Sequence, residues 1–310
     1  MPKIAFLFPG QGSQSVGMGQ TLAQQFPAAQ AVFEQADQVL GFPLSQLMWE
    51  GPAEKLNDTA NTQPALMVHS IAALRVFQER FPQVQPAFAA GHSLGELSAL
   101  VAADALPFEA ALQLVRRRGE LMREAGERSP GGMAAILGLD IPTVDHICAQ
   151  ASSKDAPVQV ANDNCPGQVV ISGAESALKR AMELASEAGA RRVVPLAVSI
   201  AAHSPLMAHA QEGFNQAVDA APISNPAIPV IGNVSARPLT DAAQIRADLR
   251  AQLRSRVRWT ESIQYLLAQG VETFIEIGNG EVLLGLVKRI NRKTRRLPFG
   301  KPEDVEGIAV

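Results

Sequence analysis

The pentapeptide Gly91-His92-Ser93-Leu94-Gly95 constrains this chain more than any other stretch. It fits the G-x-S-x-G pattern, whose structural context is a sharp turn from a strand into a helix. An extended-looking run, 84–90, precedes it, and Leu94, Leu97, Leu100 and Val101 follow at helical spacing. On such a turn the serine hydroxyl is held clear of the sheet. The first helical N–H groups stand beside it without intrahelical acceptors, placed to receive a developing oxyanion. The two glycines keep Cβ atoms out of a crowded corner. The bland alternative is a glycine-rich turn that happens to contain a serine; the strand before and the helix after weigh against it.

Around this turn the chain alternates between strand and helix patterns. Residues 4–8 are continuously apolar, as in a strand covered on both faces. They break into Pro9-Gly10-Gln11-Gly12-Ser13-Gln14. A glycine-rich loop after a strand invites a phosphate-binding reading. However, the Gly-Lys-Ser/Thr ending of a P-loop is missing, and Ser15 occupies the third glycine position of G-x-G-x-x-G. The better reading is a backbone that approaches a ligand or the elbow closely. Residues 22–40 read as one amphipathic helix. A second helix starts near Asn61-Thr62-Gln63-Pro64 with Thr62 as N-cap, and a third spans 108–125. The third carries Arg116-Arg117-Arg118, a run that usually faces solvent, although one of the three has the alternative of pointing into a site.

After Ser129-Pro130-Gly131-Gly132 the order becomes βαββαβ. A strand (133–139), a helix (142–152), two strands (158–161 and 168–172) joined by a loop (162–167), a helix (175–188) and a strand (192–198) give the ferredoxin-like arrangement. The larger pattern then resumes with a short strand at 228–232, mostly helical sequence over 242–269, a strand at 273–278 and a helix at 282–290. Residues 291–310, rich in charge, Gly and Pro, read as a loosely ordered tail. The expected organisation is therefore an α/β domain built from 1–127 and 200–290, an inserted subdomain at 128–199, and a tail at 291–310.

Composition narrows the function. A net charge of −3 and 47% hydrophobic residues give a sizeable core and no global pull toward nucleic acid or an anionic membrane. Cys148 and Cys165 match no metal or redox spacing, which makes a reducing cytoplasm the default. The N-terminal apolar run is too short for a signal peptide, and none reaches membrane-spanning length.

A serine nucleophile needs a base, and the chain has five histidines. His146 falls in the insertion. His92 adjoins Ser93, so its side chain leaves the elbow in another direction. His69 and His209 sit within helix patterns, as core or surface residues. His203 lies on a loop at a strand end, downstream of the nucleophile, where elbow folds place the base; a helix-capping histidine is its alternative. In hydrolases of this kind an acid lies between serine and histidine in chain order. Here the carboxylates before His203 fall in the insertion or on helix faces, so something other than a carboxylate, such as a backbone carbonyl, is left to orient the imidazole.

Four ordered motifs carry a resemblance: Phe8-Pro9-Gly10-Gln11-Gly12-Ser13-Gln14, Gly91-His92-Ser93-Leu94-Gly95-Glu96, Asn162-Asp163-Asn164-Cys165-Pro166-Gly167-Gln168 and His203-Ser204-Pro205-Leu206-Met207. From about residue 4 to 290 the chain resembles the malonyl-CoA:acyl-carrier-protein transacylase family. That resemblance implies an α/β-hydrolase-like core with a ferredoxin-like insertion. It implies Ser93 as nucleophile, His203 as base, and Gln11 and Leu94 as backbone donors to the oxyanion, each worth about 3 kcal/mol. Arg118 matches the family's carboxylate-binding arginine, for which a planar guanidinium is well suited. Gln252 matches the residue whose main-chain carbonyl holds the histidine. Gln63, Asn162 and His92 match positions near the pocket. The implied partners are malonyl-CoA and a phosphopantetheine-bearing acyl carrier protein, in fatty acid or polyketide synthesis; no metal or cofactor is expected beyond the CoA thioester as substrate. An acidic carrier would dock on a basic patch, for which Arg191, Arg192, Lys288 and Arg289 are candidates, with solvated surface as the alternative.

Two departures from the family pattern stand out. Ala201-Ala202 precede His203 where many relatives carry a bulkier aromatic, which widens the expected acyl range. Asn279 replaces the usual proline of a Gly-x-Gly turn, a structural change. Two rival readings are a serine thioesterase or esterase on the same elbow and a non-catalytic partner-binding module; the intact Ser93/His203 pair weighs against the second.

Overall fold

Strand β1 (Lys3–Phe8) is buried from Ile4 to Phe8 because it runs through the centre of a sheet covered on both faces. The computed structural model describes residues 3–198 and 200–308; the expected boundary at residue 199 and the chain ends at 1–2 and 309–310 lie outside them. On one side β1 pairs in parallel with β2 (Phe88–Gly91). The insertion's sheet follows in the chain, with β3 (Gly131–Leu137), β4 (Val158–Cys165), β5 (Gln168–Ala174) and β6 (Arg192–Pro195). The chain then returns to the first sheet through β7 (Val230–Ile231), β8 (Pro238–Leu239), β9 (Val271–Ile277) and β10 (Arg295–Phe299).

The main sheet has the order β10-β9-β1-β2-β7-β8 and is parallel except for the β7–β8 pair. The expected tail is thus corrected: residues 295–299 form an edge strand of the core. Phe299 is fully buried, its ring 4.9 Å from that of Phe77. His69 donates from Nε2 to the Gly300 carbonyl at 2.9 Å and fastens the strand's end. The composition hid this strand, because arginines and a proline are tolerated where one ladder faces solvent.

The helix expected over 22–40 is two helices, Gln20–Gln25 and Pro27–Leu40, broken at Phe26, whose extended backbone is what the following proline demands. The helix Thr59–Arg80 starts earlier than expected. Asp58 is its N-cap, accepting from the Ala60 N–H at 2.9 Å, and Thr62 sits inside, donating to the Leu56 carbonyl. This helix is buried along most of its length, so the polar Gln63 and His69 are interior residues. Phe108–Arg128 packs against it. The expected helical stretch 242–269 divides into Ala242–Gln252 and Trp259–Ala268.

The insertion forms an antiparallel sheet of order β4-β5-β3-β6, with helices Ile141–Ala151 and Glu175–Glu187 over a separate apolar cluster. That is the ferredoxin-like arrangement. The loop expected at 162–167 shrinks to Pro166-Gly167, since β4 runs on to Cys165. Its polar residues face the core domain rather than water. Asp163 N–H donates to the Val257 carbonyl, Val257 N–H donates to Ala161, and Thr260 Oγ1 donates to Asp163. This seam joins the two sheets. Both cysteines are buried and unpaired. Among the described residues no helix is long and apolar enough to cross a membrane.

Candidate active site

The elbow forms as the glycine pattern requires. β2 ends at Gly91, the helix Gly95–Ala102 begins four residues on, and Ser93 between them has φ 54°. That left-handed conformation costs a serine about 1–3 kcal/mol unless its surroundings enforce it. A Cβ on Gly91 would lie 1.9 Å from the Gly95 carbonyl oxygen, and one on Gly95 would lie 2.2 Å from that of Phe8. The loop after β1 is equally tight: a Cβ on Gly10 would meet the His92 carbonyl at 2.5 Å. Its glycines therefore serve close approach to the elbow.

Two polar groups hold the strained serine. Its N–H donates to Asn233 Oδ1 at 2.6 Å, while Asn233 Nδ2 donates to the Gly91 carbonyl at 2.7 Å. Its carbonyl accepts from Gln252 Nε2 at 3.1 Å.

Ser93 Oγ lies 2.8 Å from His203 Nε2. His203 Nδ1 faces the Gln252 carbonyl at 2.9 Å and the Ser255 carbonyl at 3.1 Å. Carbonyls only accept, so Nδ1 carries the hydrogen and Nε2 offers its lone pair to the serine hydroxyl. The carbonyl expected in place of a triad acid is present, with a second beside it. His203 also has a positive φ, 57°, and Gln159 Nε2 pins its carbonyl at 2.7 Å. Burial, and next the charge of Arg118, push His203 down to about 3, which keeps it a neutral base at physiological pH.

Arg118 is the one residue of the arginine run that turns inward. It is 1% exposed and donates to Gln63 Oε1 at 2.7 Å, Gln252 Oε1 at 2.8 Å and Ser93 Oγ at 3.1 Å. Burial lowers it only to about 10, so it stays charged, although every one of these acceptors is neutral. Its helix neighbours face elsewhere: Arg116 pairs with Glu120 at 2.7 Å, and Arg117 is half exposed.

A cavity of about 120 Å³ joins these groups, lined by Gln11, Ser93, Leu94, Arg118, Ala202 and His203 from the core and by Met133, Asn162, Leu196 and Val198 from the insertion. Leu94 N–H belongs to the first turn of its helix, where amides lack intrahelical acceptors, and Gln11 flanks the same space. Gln63, expected near the pocket, does not line it. It is wholly buried, supports Arg118, and donates to Thr59 Oγ1, which in turn donates to Gln11 Oε1 at 3.0 Å. His92 touches the cavity, but its ring is engaged elsewhere, donating to Asn164 Oδ1 at 2.8 Å and packing 5.5 Å from Trp259. His209 and His146 are exposed, outside the site.

Sequence reasoning missed Asn233, Thr59, Ser255 and Gln159. Each acts through a bond to a residue far away in the chain and belongs to no local motif. Glu96 was quoted within the elbow motif without a role. It is fully buried, and its Oε2 accepts from Gln252 Nε2 at 2.8 Å and from Asn233 N–H at 3.1 Å.

Comparison with known proteins places the chain among acyl transferases. Residues 5–298 match the family described as acyl transferase domain. The malonyl CoA-acyl carrier protein transacylase of Bacillus subtilis is 51% identical over 306 residues, covering 99% of this chain and 96% of its own length. That of Haemophilus influenzae is 47% identical over 94% of this chain and 93% of its own. The solved transacylase of Coxiella burnetii superposes with a TM-score of 0.96 at 40% identity, covering 99% of this chain and 97% of the other. A malonyl-transacylase in complex with its type II PKS acyl-carrier protein superposes with a TM-score of 0.94 at 41% identity, covering 98% of each chain. A serine–histidine pair on an elbow, a buried arginine beside it and near full-length identity of this order lead to one conclusion: the chain belongs to the acyl transferase domain family, among the malonyl CoA-acyl carrier protein transacylases.

Proposed function

We propose that this chain moves a malonyl group from malonyl-CoA to the phosphopantetheine thiol of an acyl carrier protein through an ester on Ser93, for fatty acid or polyketide synthesis. The observation that carries the reading is the Ser93–His203 contact at 2.8 Å beside a buried guanidinium whose hydrogen-bond acceptors are all neutral. A buried cation hydrogen-bonded to neutral groups alone is costly, and a bound carboxylate relieves that cost. An acyl group ending in a carboxylate fits this site better than acetyl does.

His203 Nε2 takes the Ser93 proton as Oγ attacks the thioester carbonyl. The oxyanion meets the Leu94 and Gln11 amides, and the imidazolium returns its proton to the departing CoA thiolate. In the second half the carrier thiol gives its proton to His203 and attacks the ester, and Ser93 regains a proton as it leaves. The malonyl carboxylate on Arg118 cancels a charge that otherwise opposes protonation of His203. Wider clefts of about 560 and 420 Å³ share Val198 and Ile200 with the site's wall and give a phosphopantetheine arm room to enter. The free buried cysteines accord with a cytoplasmic setting.

The test is the mass of the intact protein after malonyl-, methylmalonyl- and acetyl-CoA, with Ser93→Ala as control. The expected result is a malonyl ester on Ser93 that persists until holo carrier protein is added. An ester lost to water at the same rate without the carrier would identify a thioesterase instead.

A further inference from the structure

We propose that Glu96 is a positioning residue that, through Asn233 and Gln252, locks nucleophile, base and arginine into one arrangement, a role that rests on the acyl-transfer reading above. Glu96 follows Ser93 by three residues, is wholly buried and does not line the cavity. A single carboxyl oxygen, Oε2, accepts from Gln252 Nε2 and from the Asn233 backbone N–H. Those two residues grip the strained serine from opposite sides, Gln252 at its carbonyl and Asn233 at its N–H. The result is a closed ring of hydrogen bonds around one residue in a left-handed conformation, with Glu96 at its far side.

Glu96 also decides which way the Gln252 amide points. Arginine only donates and a carboxyl Oε2 accepts, so Nε2 must face Glu96 and Oε1 must face Arg118. The reverse orientation would set N–H against guanidinium and carbonyl oxygen against carboxyl oxygen. Because the Gln252 main chain holds His203, one buried side chain thus sets the order of all three functional groups.

The second carboxyl oxygen, Oε1, has no donor facing it, and the Asp248 carboxyl is close enough to act on Glu96 electrostatically. Asp248 in turn accepts from the Val234 and Ser235 N–H groups at 3.2 and 3.1 Å. Burial first, and then the negative charge of Asp248, hold the Glu96 carboxyl well above the usual carboxylate range. Glutamine keeps the shape of Glu96 and an oxygen for the same two donors, and replaces only the second oxygen, which has no donor.

The full-length chain tests this with two probes: labelling of Ser93 by a fluorophosphonate, which reports the nucleophile alone, and acylation by malonyl-CoA against acetyl-CoA. Rates are taken per folded molecule. Asn233→Ala is expected to slow labelling by about tenfold to hundredfold and to keep the malonyl preference, since Gln252 and Arg118 stay in place. Glu96→Leu is expected to slow labelling by about a hundredfold and also to erode the malonyl preference. Glu96→Gln is expected to retain at least about a third of the wild-type rate and the full preference. The proposal is overturned if Glu96→Leu labels within about threefold of wild type, or if Glu96→Gln loses as much as Glu96→Leu. Where Glu96→Leu does not fold, Glu96→Gln at less than a tenth of the wild-type rate, or Asn233→Ala at the full rate, overturns it equally. A wild-type chain that takes the fluorophosphonate but not malonyl-CoA sinks the acyl-transfer reading and leaves the clamp to be judged by labelling.

Discussion

The two sheets of this molecule bury their polar groups in opposite ways. The main domain keeps Glu96, Arg118, His203, Asn233 and Gln252 almost wholly out of water and links them by hydrogen bonds. The insertion's own core is a cluster of Ala, Val, Ile, Leu and Cys, and, of its buried polar residues Asn162, Asp163, Asn164 and Ser172, the three asparagine and aspartate side chains lie at the seam with the main domain. The difference separates two tasks. Bond making needs groups fixed before the substrate arrives, so it sits where side chains are held by a network of hydrogen bonds. The insertion supplies Met133, Leu196 and Val198, a mainly apolar wall against which an acyl chain is measured.

Substitutions on the two sides test that division. The largest effect belongs to the nucleophile: Ser93→Ala is expected to lower transfer on the order of 10⁶-fold and abolish the acyl-enzyme, read by intact mass. Next comes Arg118→Ala. Two charge-assisted bonds to a carboxylate are each worth about 1.5–3 kcal/mol, so kcat/KM for malonyl-CoA is expected to fall by about 10²–10⁴-fold while that for acetyl-CoA falls far less. A malonyl preference that survives this change unaltered would remove the arginine from substrate recognition.

Acid distinguishes the regions by stability. His69, His92 and His203 are all buried in the main domain, whereas the insertion's His146 is exposed. Burial lowers His69 from 6.5 to about 4. Its contribution is therefore complete above pH 6.5 and is lost as pH falls toward 4, up to roughly 3 kcal/mol. Glu276, raised to about 7 by burial, works in reverse, its contribution being present in acid and lost as pH rises from 4.5 through 7. The two are separated by His69→Gln, which keeps a donor for Gly300. Its urea midpoint is expected to fall less than that of wild type between pH 6.5 and 4.5, and an identical fall would remove His69 from the acid response. The smallest effect is on the wall: Ala202→Phe is expected to shift the malonyl-to-methylmalonyl ratio by about tenfold toward malonyl, read by competition between the two thioesters.

How much of this was legible from the residues alone depends on the range of the signal. The elbow, the βαββαβ order and the helix Val282–Ile290 are written in short-range spacing and stand as expected. Gln252 and Arg118 were found through the resemblance; no local pattern marks a main-chain carbonyl as a histidine's partner. Asn233 meets Ser93 across a separation of 140 residues, and only the closed sheet brings them together. Asn162 to Asn164 look like a loop because polar residues usually seek water, yet here another domain supplies their partners. β10 was hidden by its arginines and proline, which suit a strand that is paired on one side only.

The two main-chain oxygens behind His203 have a kinetic consequence. A carboxylate there would trap the proton on the ring by adding a full negative charge, whereas peptide dipoles hold it in a shallow well. Held low by burial and by Arg118, the ring gives up the hydrogen it has taken, whichever sulfur is leaving. Built this way, the site is an exchange counter that runs in either direction, with its net flow set by the supply of donor and acceptor outside.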